Sequence, residues 1–234
     1  MASIPLSHPI QVSRLVSETR EILFAGDHVR LSGQLDLPTT PAPRDGYPLL
    51  FILPHASSIS RDDFDEYTAT ALRTGLAVFR WDKRGTGRSG SGGRGSSTQD
   101  AINAYETALL HEEINRRQAI ILAIGAGTGM LGSAYGLFAR LQRPAGVLLI
   151  ANQLSPQEIL AIDTEIHILM SQEDWNAPEV YGSAAAIAHR QTYPYGAGFT
   201  LVSDCNRFLM TEYADGAALL HEDARRVIAA WLRR

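Results

Sequence analysis

Residues 119–138, AIILAIGAGTGMLGSAYGLF, run an apolar stretch into three alternating glycines, Gly125, Gly127 and Gly129, and then into a helical pattern. That spacing suits three purposes. GTGMLG at 127–132 fits the dinucleotide pattern G-x-G-x-x-G, in which glycines let a pyrophosphate approach the backbone at a helix start. The following strand should then close on an acidic residue for the ribose. It closes on Asn152 and Gln153, and the unit sits mid-chain, so a nucleotide site is disfavoured. Gly125 and Gly129 also fit the flanks of a nucleophile turn, G-x-Nu-x-G, where small residues allow a sharp passage from strand to helix. The nucleophile position is then Gly127. Glycine adopts the strained backbone of such a turn but offers no attacking atom. The third reading is a turn with packing duties alone, and the turn by itself does not separate it from the second.

Other side chains that could do chemistry have simpler uses. Thr128 should point along the helix start. Ser57 and Ser58 suit loop hydrogen bonding, and Cys205 suits a small buried apolar group. Asp62, Asp63, Asp65 and Glu66 crowd one helix start near His55, but acidic residues belong there on dipole grounds, so no metal site is expected. The loop DKRGTGRSGSGGRGSS (82–97) carries Lys83, Arg84, Arg88 and Arg94. It lacks the G-K-[ST] ending of a phosphate loop and has no aromatics. A turn network between Asp82 and Arg84 is expected there.

The elements that must position these residues alternate. VRLSGQLDLP (29–38) reads as a strand wet on one side, LLFILP (49–54) as a buried strand, and residues 60–75 as a helix opened by a Ser60–Asp63 capping box. LAVFRW (76–81) is a strand. Residues 97–115 read as a helix opened by a second Ser-x-x-Asp box, and 119–124 as a strand followed by a helix over 130–141. Strands at 145–151 and 165–171, a helix at 178–190, a strand at 198–203 and a closing helix at 216–234 complete the chain. Arg225, Arg226, Arg233 and Arg234 are expected toward the negative end of that last helix. Alternation of this kind implies a mostly parallel sheet of about eight strands with helices on both faces. Only a short stretch separates the strands at 145–151 and 165–171, which leaves no room for a lid domain.

The chain has 234 residues, a net charge of −4 and 45% apolar residues, as a soluble globular protein does. This is enough for one sizeable core, so residues 19–234 are expected to form one domain after a loose lead-in over 1–18. The charge gives no sign of a nucleic-acid partner. A lone Cys205 excludes an internal disulfide and any multi-cysteine metal site. No secretion signal or membrane span is apparent, so the expected location is the cytoplasm, with no membrane partner.

Four stretches resemble the α/β-hydrolase superfamily, and the likeness runs from about Val29 to the C-terminus. VRLSGQLDLP is similar to its opening hairpin strand. FILPHASSISRDDF resembles its oxyanion loop and the helix after it, with Ala56 in place of the usual glycine. VFRWDKRGTGRSG resembles its Asp-x-Arg-Gly-x-Gly-x-Ser loop, and GAGTG sits where its nucleophile turn sits. Within that superfamily the chain is similar to the small bacterial serine hydrolases related to dienelactone hydrolases and peptidase-like serine esterases. The resemblance implies a single-domain, lidless α/β-hydrolase fold and a triad in the order nucleophile, acid, histidine. Carried over, those positions hold Gly127, Asp174 (with Glu173 the weaker candidate for the acid) and Arg207. Two of the three working groups are replaced, and no histidine stands between His189 and His221.

The resemblance also implies a backbone oxyanion hole from Thr128 and the His55–Ala56–Ser57 loop. The expectation is therefore a pseudohydrolase without a cofactor. Its former active site would take a small anionic or carboxylate-bearing molecule at Ser57 and Arg207, with Asp174 competing for Arg207 as an ion pair. The alternatives are an active esterase or peptidase with a relocated nucleophile, and an interaction subunit of an active relative. Installing Gly127→Ser with Arg207→His is expected to restore weak esterase activity.

Overall fold

The computed structural model describes residues 12–234. A single 3-10 turn at Val12–Arg14 leads into β1 (Val16–Ala25), which pairs antiparallel with β2 (Arg30–Pro38). Then follow β3 (Tyr47–Leu53), α1 (Asp65–Leu72), β4 (Ala77–Trp81), α2 (Ser97–Leu109), β5 (Ile114–Ile124), α3 (Ala126–Gln142), β6 (Gly146–Ile150), β7 (Ile166–Ser171), α4 (Ala185–Thr192) and β8 (Ala197–Val202). A short hairpin, β9 (Met210–Glu212) and β10 (Ala218–Leu220), precedes α5 (Glu222–Leu232). The main sheet has eight strands in the order β1-β2-β4-β3-β5-β6-β7-β8. From β4 to β8 the neighbours are parallel, and β2 joins β4 antiparallel.

Strand alternation sorts the helices into two layers. Leu49, Phe51, Leu53, Ile121, Ala123, Val147 and Leu149 share one core with Tyr105 of α2, Leu131 and Phe138 of α3, and Ala185 of α4. Leu50, Ile52, Leu122, Ile124, Leu148 and Ile150 face the other way, onto Tyr67 and Ala71 of α1 and Ile228 and Trp231 of α5. The β6–β7 connection holds only a 3-10 turn, Glu158–Ala161, so no lid is inserted there.

The lead-in expected over 1–18 falls largely on residues 1–11, outside the described residues. Its last part is ordered instead, because β1 starts at Val16 as the charged edge of the sheet, with Phe24 its one buried residue. β5 starts at Ile114 rather than 119: Tyr47 and Ile114 pair, which draws the polar Arg116, Arg117 and Gln118 into the strand and ends α2 at Leu109. α2 is capped by Ser96, whose side chain accepts from Gln99 N, and not by Ser97 with Asp100. α5 begins at Glu222, so Arg225 and Arg226 lie in or next to its first turn, not at its negative end. The Ser60–Asp63 capping box is present in full and opens a 3-10 turn, Arg61–Phe64, that runs into α1.

Charges buried under β2 and β4 tie the first third of the chain together. Arg80, on β4, reaches Asp36 at 3.1 Å, and both side chains are almost wholly buried. Thr19 and Gln34 also donate to Asp36, each at 2.8 Å. On the far side of the sheet edge, His167 of β7 lies 2.9 Å from Thr200 Oγ1. Burial first, and the charge of Arg234 second, push this imidazole down to about 4. Between that value and the ordinary 6.5, the unfolded chain takes up a proton that the folded chain refuses. This contribution to stability is complete above about pH 6.5 and is lost as pH falls toward about 4. Denaturant titrations across this range should show a shallower acid slope for His167→Gln; an unaltered slope would clear His167 of that role.

Candidate functional site at the strand-to-helix turn

The passage from β5 to α3 turns on one residue. Gly125 has φ 53° and ψ −118°, a strained combination for any residue with a Cβ. It caps α3, and its N–H donates to Ile150 O at 2.9 Å. Gly127, two residues on, is already inside α3. A Cβ there would stand 2.6 Å from the Leu53 carbonyl oxygen and 3.1 Å from that of Pro54. Gly127 is small because the first turn of α3 lies against the end of β3. The expected apex at Gly127 is therefore corrected to Gly125, with Ala123 and Gly127 as the small flanks, and Gly127→Ser cannot be the restoring change.

A Cβ on Gly125 would meet His55 Cβ at 3.3 Å and Phe208 Cε1 at 3.6 Å, distances that a side chain tolerates with small adjustments. The same correction shifts the backbone donor. In turns of this type the N–H after the apex points at the reacting oxygen, and here that is Ala126. Thr128 is otherwise engaged: its N–H donates to Gly125 O at 2.9 Å, its hydroxyl donates to the same oxygen at 2.7 Å, and the hydroxyl accepts from Gln153 N at 3.0 Å. Thr128 thus braces the turn and has no N–H left to offer.

The loop after β3 supplies the opposite wall. Lys83 Nζ donates to His55 O at 2.9 Å and to Ala56 O, and Ser58 Oγ donates to His55 O at 3.1 Å. With its carbonyls held on the Lys83 side, this loop has a fixed direction. His55 stacks on Phe208 with ring centroids 4.3 Å apart and meets Phe64 edge-on at 5.5 Å. Its Nδ1 lies 2.9 Å from the hydroxyl of the exposed Ser57. Burial first, then the charge of Lys83, lowers the affinity of His55 for a proton, against a smaller opposing pull from Asp63.

Asp174 follows β7 and accepts from Asn176 N at 3.0 Å. Its carboxylate is out of contact with solvent, and burial raises its pKa, with Asn176 and Arg207 opposing. Arg207 Nη2 stands 3.6 Å from Asp174 Oδ1, an ion pair beyond good hydrogen-bond length. The guanidinium packs over Trp175 at 4.0 Å and near the Phe208 ring at 5.3 Å. Its Nε and Nη2 and Asp174 Oδ2 have no hydrogen-bond partner among the described residues. The turn at Gly125, the His55–Phe208 stack and the Asp174–Arg207 pair thus form one constellation at the carboxyl ends of the strands, the usual place for a site in such sheets.

Phe208 and Trp175 belong to it although their types suggested no chemistry, and Lys83 joins it from the basic loop through the His55 and Ala56 carbonyls. Phe208 is fixed by Tyr67, whose hydroxyl donates to its carbonyl oxygen. The remaining candidates have structural duties. Asp63 caps its helix, Asp65 and Asp62 face Arg80, and Glu66 accepts from Leu220 N at 3.2 Å. Cys205 is buried among apolar residues, and burial raises its thiol pKa. The expected Asp82–Arg84 pairing is absent. Asp82 accepts from the N–H groups of Arg61 at 2.7 Å and Arg88 at 2.9 Å, while Arg84 Nε donates to the buried Asp100 at 2.6 Å. Both groups are taken by other partners: Arg61 Nη2 also stands 3.0 Å from the Asp82 carboxylate, and a Cβ on Gly87 would lie 2.3 Å from its carboxyl carbon. No group of three or more histidine, cysteine or acidic side chains converges on a common point among the described residues. No described helix is long and apolar enough to cross a membrane.

The sheet order, the two helical layers and the turn at Gly125 define the α/β-hydrolase fold, and solved structures agree. The esterase domain of a Rhodothermus marinus protein superposes with a TM-score of 0.64 at 16% identity, over 93% of this chain and 99% of that one. A lidless α/β serine hydrolase from Xanthomonas campestris gives 0.61 at 13% identity, covering 93% of each chain. A dienelactone hydrolase-like promiscuous phosphotriesterase from metagenomic libraries gives 0.61 at 12%, over 92% and 95%. The chain spans about half, 51%, of a further match, a hypothetical protein from Pseudomonas aeruginosa. No protein-family model and no curated protein matches the sequence.

Proposed function

We propose that this chain is a pseudohydrolase: an α/β-hydrolase-fold protein that has no serine-hydrolase catalysis and holds a small anion or carboxylate at the vacated turn. The observation that carries the reading is Gly125, the strained apex where a nucleophile would project, which has no side chain. Acyl transfer needs an attacking atom and a base to take its proton. The apex lacks the first, and beside Asp174 stands Arg207, a permanent cation that cannot accept a proton. What is left favours negative charge: first-turn N–H groups of α3, the positive end of its dipole, and guanidinium donors without acceptors. Titration with acetate and benzoate, followed by the fluorescence of Trp175, tests this. Saturable quenching that weakens about tenfold in Arg207→Gln is expected. Equal affinity in the variant would remove the carboxylate from the site.

A second reading rests on one contact, the 2.9 Å approach of His55 Nδ1 to the Ser57 hydroxyl. A neutral imidazole beside a serine is the start of a relocated nucleophile. Against it, no carboxylate hydrogen-bonds to the ring among the described residues, and Ser57 is two residues from His55 in a tight loop. Hydrolysis of p-nitrophenyl acetate separates the readings. The pseudohydrolase gives a rate that Ser57→Ala leaves unchanged; a rate abolished by Ser57→Ala would establish the relocated nucleophile.

A further inference from the structure

Away from the Gly125 turn, α1 and α5 pack side by side and leave a cavity of about 240 Å³ between them. Four arginines line it, Arg73 from the end of α1 and Arg225, Arg226 and Arg233 from α5, against a single carboxylate, Glu222. The α5 residues share one flank, since positions 222, 225 or 226, 229 and 233 recur at helical spacing. Two of the four charges are answered locally. Arg225 pairs with Glu222 at 2.7 Å, and Arg226 with Asp223 at 2.8 Å. Arg73 and Arg233 have no carboxylate within ion-pair distance among the described residues, and both are exposed. Residues 1–11 contain no acidic side chain that could supply one.

Arg73 and Arg233 each adjoin a helix C-terminus, where a cation is favoured in any case. That accounts for their sign and not for their convergence on one cavity. Two unanswered guanidinium groups facing a common hollow suit a doubly charged oxyanion, because their planar donors match phosphate oxygens in pairs. The walls narrow the source of that anion. None of the exposed large apolar residues lies on α1 or α5, so nothing there would insert into a lipid layer. No aromatic side chain lines the cavity to stack on a base either.

We propose that the α1–α5 groove binds the phosphoryl group of a soluble phosphate ester or diphosphate, held between Arg73 and Arg233. The groove shares no lining residue with the site at the Gly125 turn. Calorimetric titration with inorganic pyrophosphate in a phosphate-free buffer tests it. Binding at micromolar to low millimolar concentration is expected, weakened about tenfold by Arg73→Gln and again by Arg233→Gln. These are exposed side chains, so the thermal midpoint without pyrophosphate should be unmoved. Arg94→Gln, an exposed arginine of the loop over 82–97, should leave the affinity as it is, and vesicles of phosphatidylcholine with phosphatidic acid should not retain the protein at physiological salt. Absence of heat at 10 mM pyrophosphate (roughly the weakest useful range), indifference to both arginine changes, an equal loss in Arg94→Gln, or retention by vesicles without pyrophosphate binding would each overturn the proposal.

Discussion

A serine introduced at residue 127 should destabilise the fold by about 3 kcal/mol or more, whereas a serine at residue 125 should cost about 1–3 kcal/mol and leave a folded protein. The two glycines lie two residues apart in one turn, and their constraints differ in kind. At 127 the obstacle is solid: the new Cβ would stand 2.6 Å from the carbonyl oxygen of Leu53. Relief requires the first turn of α3 to separate from the end of β3, which is the centre of the sheet. At 125 the neighbours are a histidine Cβ at 3.3 Å and a phenylalanine ring edge at 3.6 Å, and the cost is backbone strain at φ 53°. Urea denaturation of both variants measures the difference. Equal losses would mean that the apex has been wrongly assigned to Gly125.

Arg80→Leu should cost about 3–5 kcal/mol, the usual result of removing one partner from a buried ion pair. Asp36 would keep its bonds from Thr19 and Gln34 but would remain a charge with no solvent exposure and no counter-charge in contact. The loss of Asp62 and Asp65 as partners matters little, since both carboxylates are substantially exposed. The double change Arg80→Leu with Asp36→Leu should recover much of the stability, because removing both charges also removes the desolvation penalty. If the single change costs under about 1 kcal/mol, the pair is a solvated contact and not a structural tie.

The parallel core of the fold was readable because its strands are continuous apolar runs. LLFILP, AIILAI and GVLLIA admit no other duty in a chain that alternates with amphipathic helices. The edges were not readable in the same way. β1, VSETREILFA, buries only Phe24, so hydrophobic periodicity had little to detect. β9 and β10 are three residues each, shorter than any useful window. The glycine-rich turn illustrates a subtler limit. Gly125, Gly127 and Gly129 have the same chemistry in sequence, and three glycines at a spacing of two offer more than one register for the same motif. Only the backbone angles and the position of Leu53 distinguish the residue that must be strained from the one that must be small. Pairings such as Arg84 with Asp100 were hidden for another reason: they join residues across a loop, where local sequence carries no distance information.

The proposed pseudohydrolase holds no activated nucleophile, at the apex of the turn or elsewhere. Intact-mass analysis after exposure to a fluorophosphonate tests it most directly. The wild-type chain is expected to show no adduct under conditions that label an active serine hydrolase to completion. A single stoichiometric adduct, mapped to Ser57 or to any other serine, would contradict it.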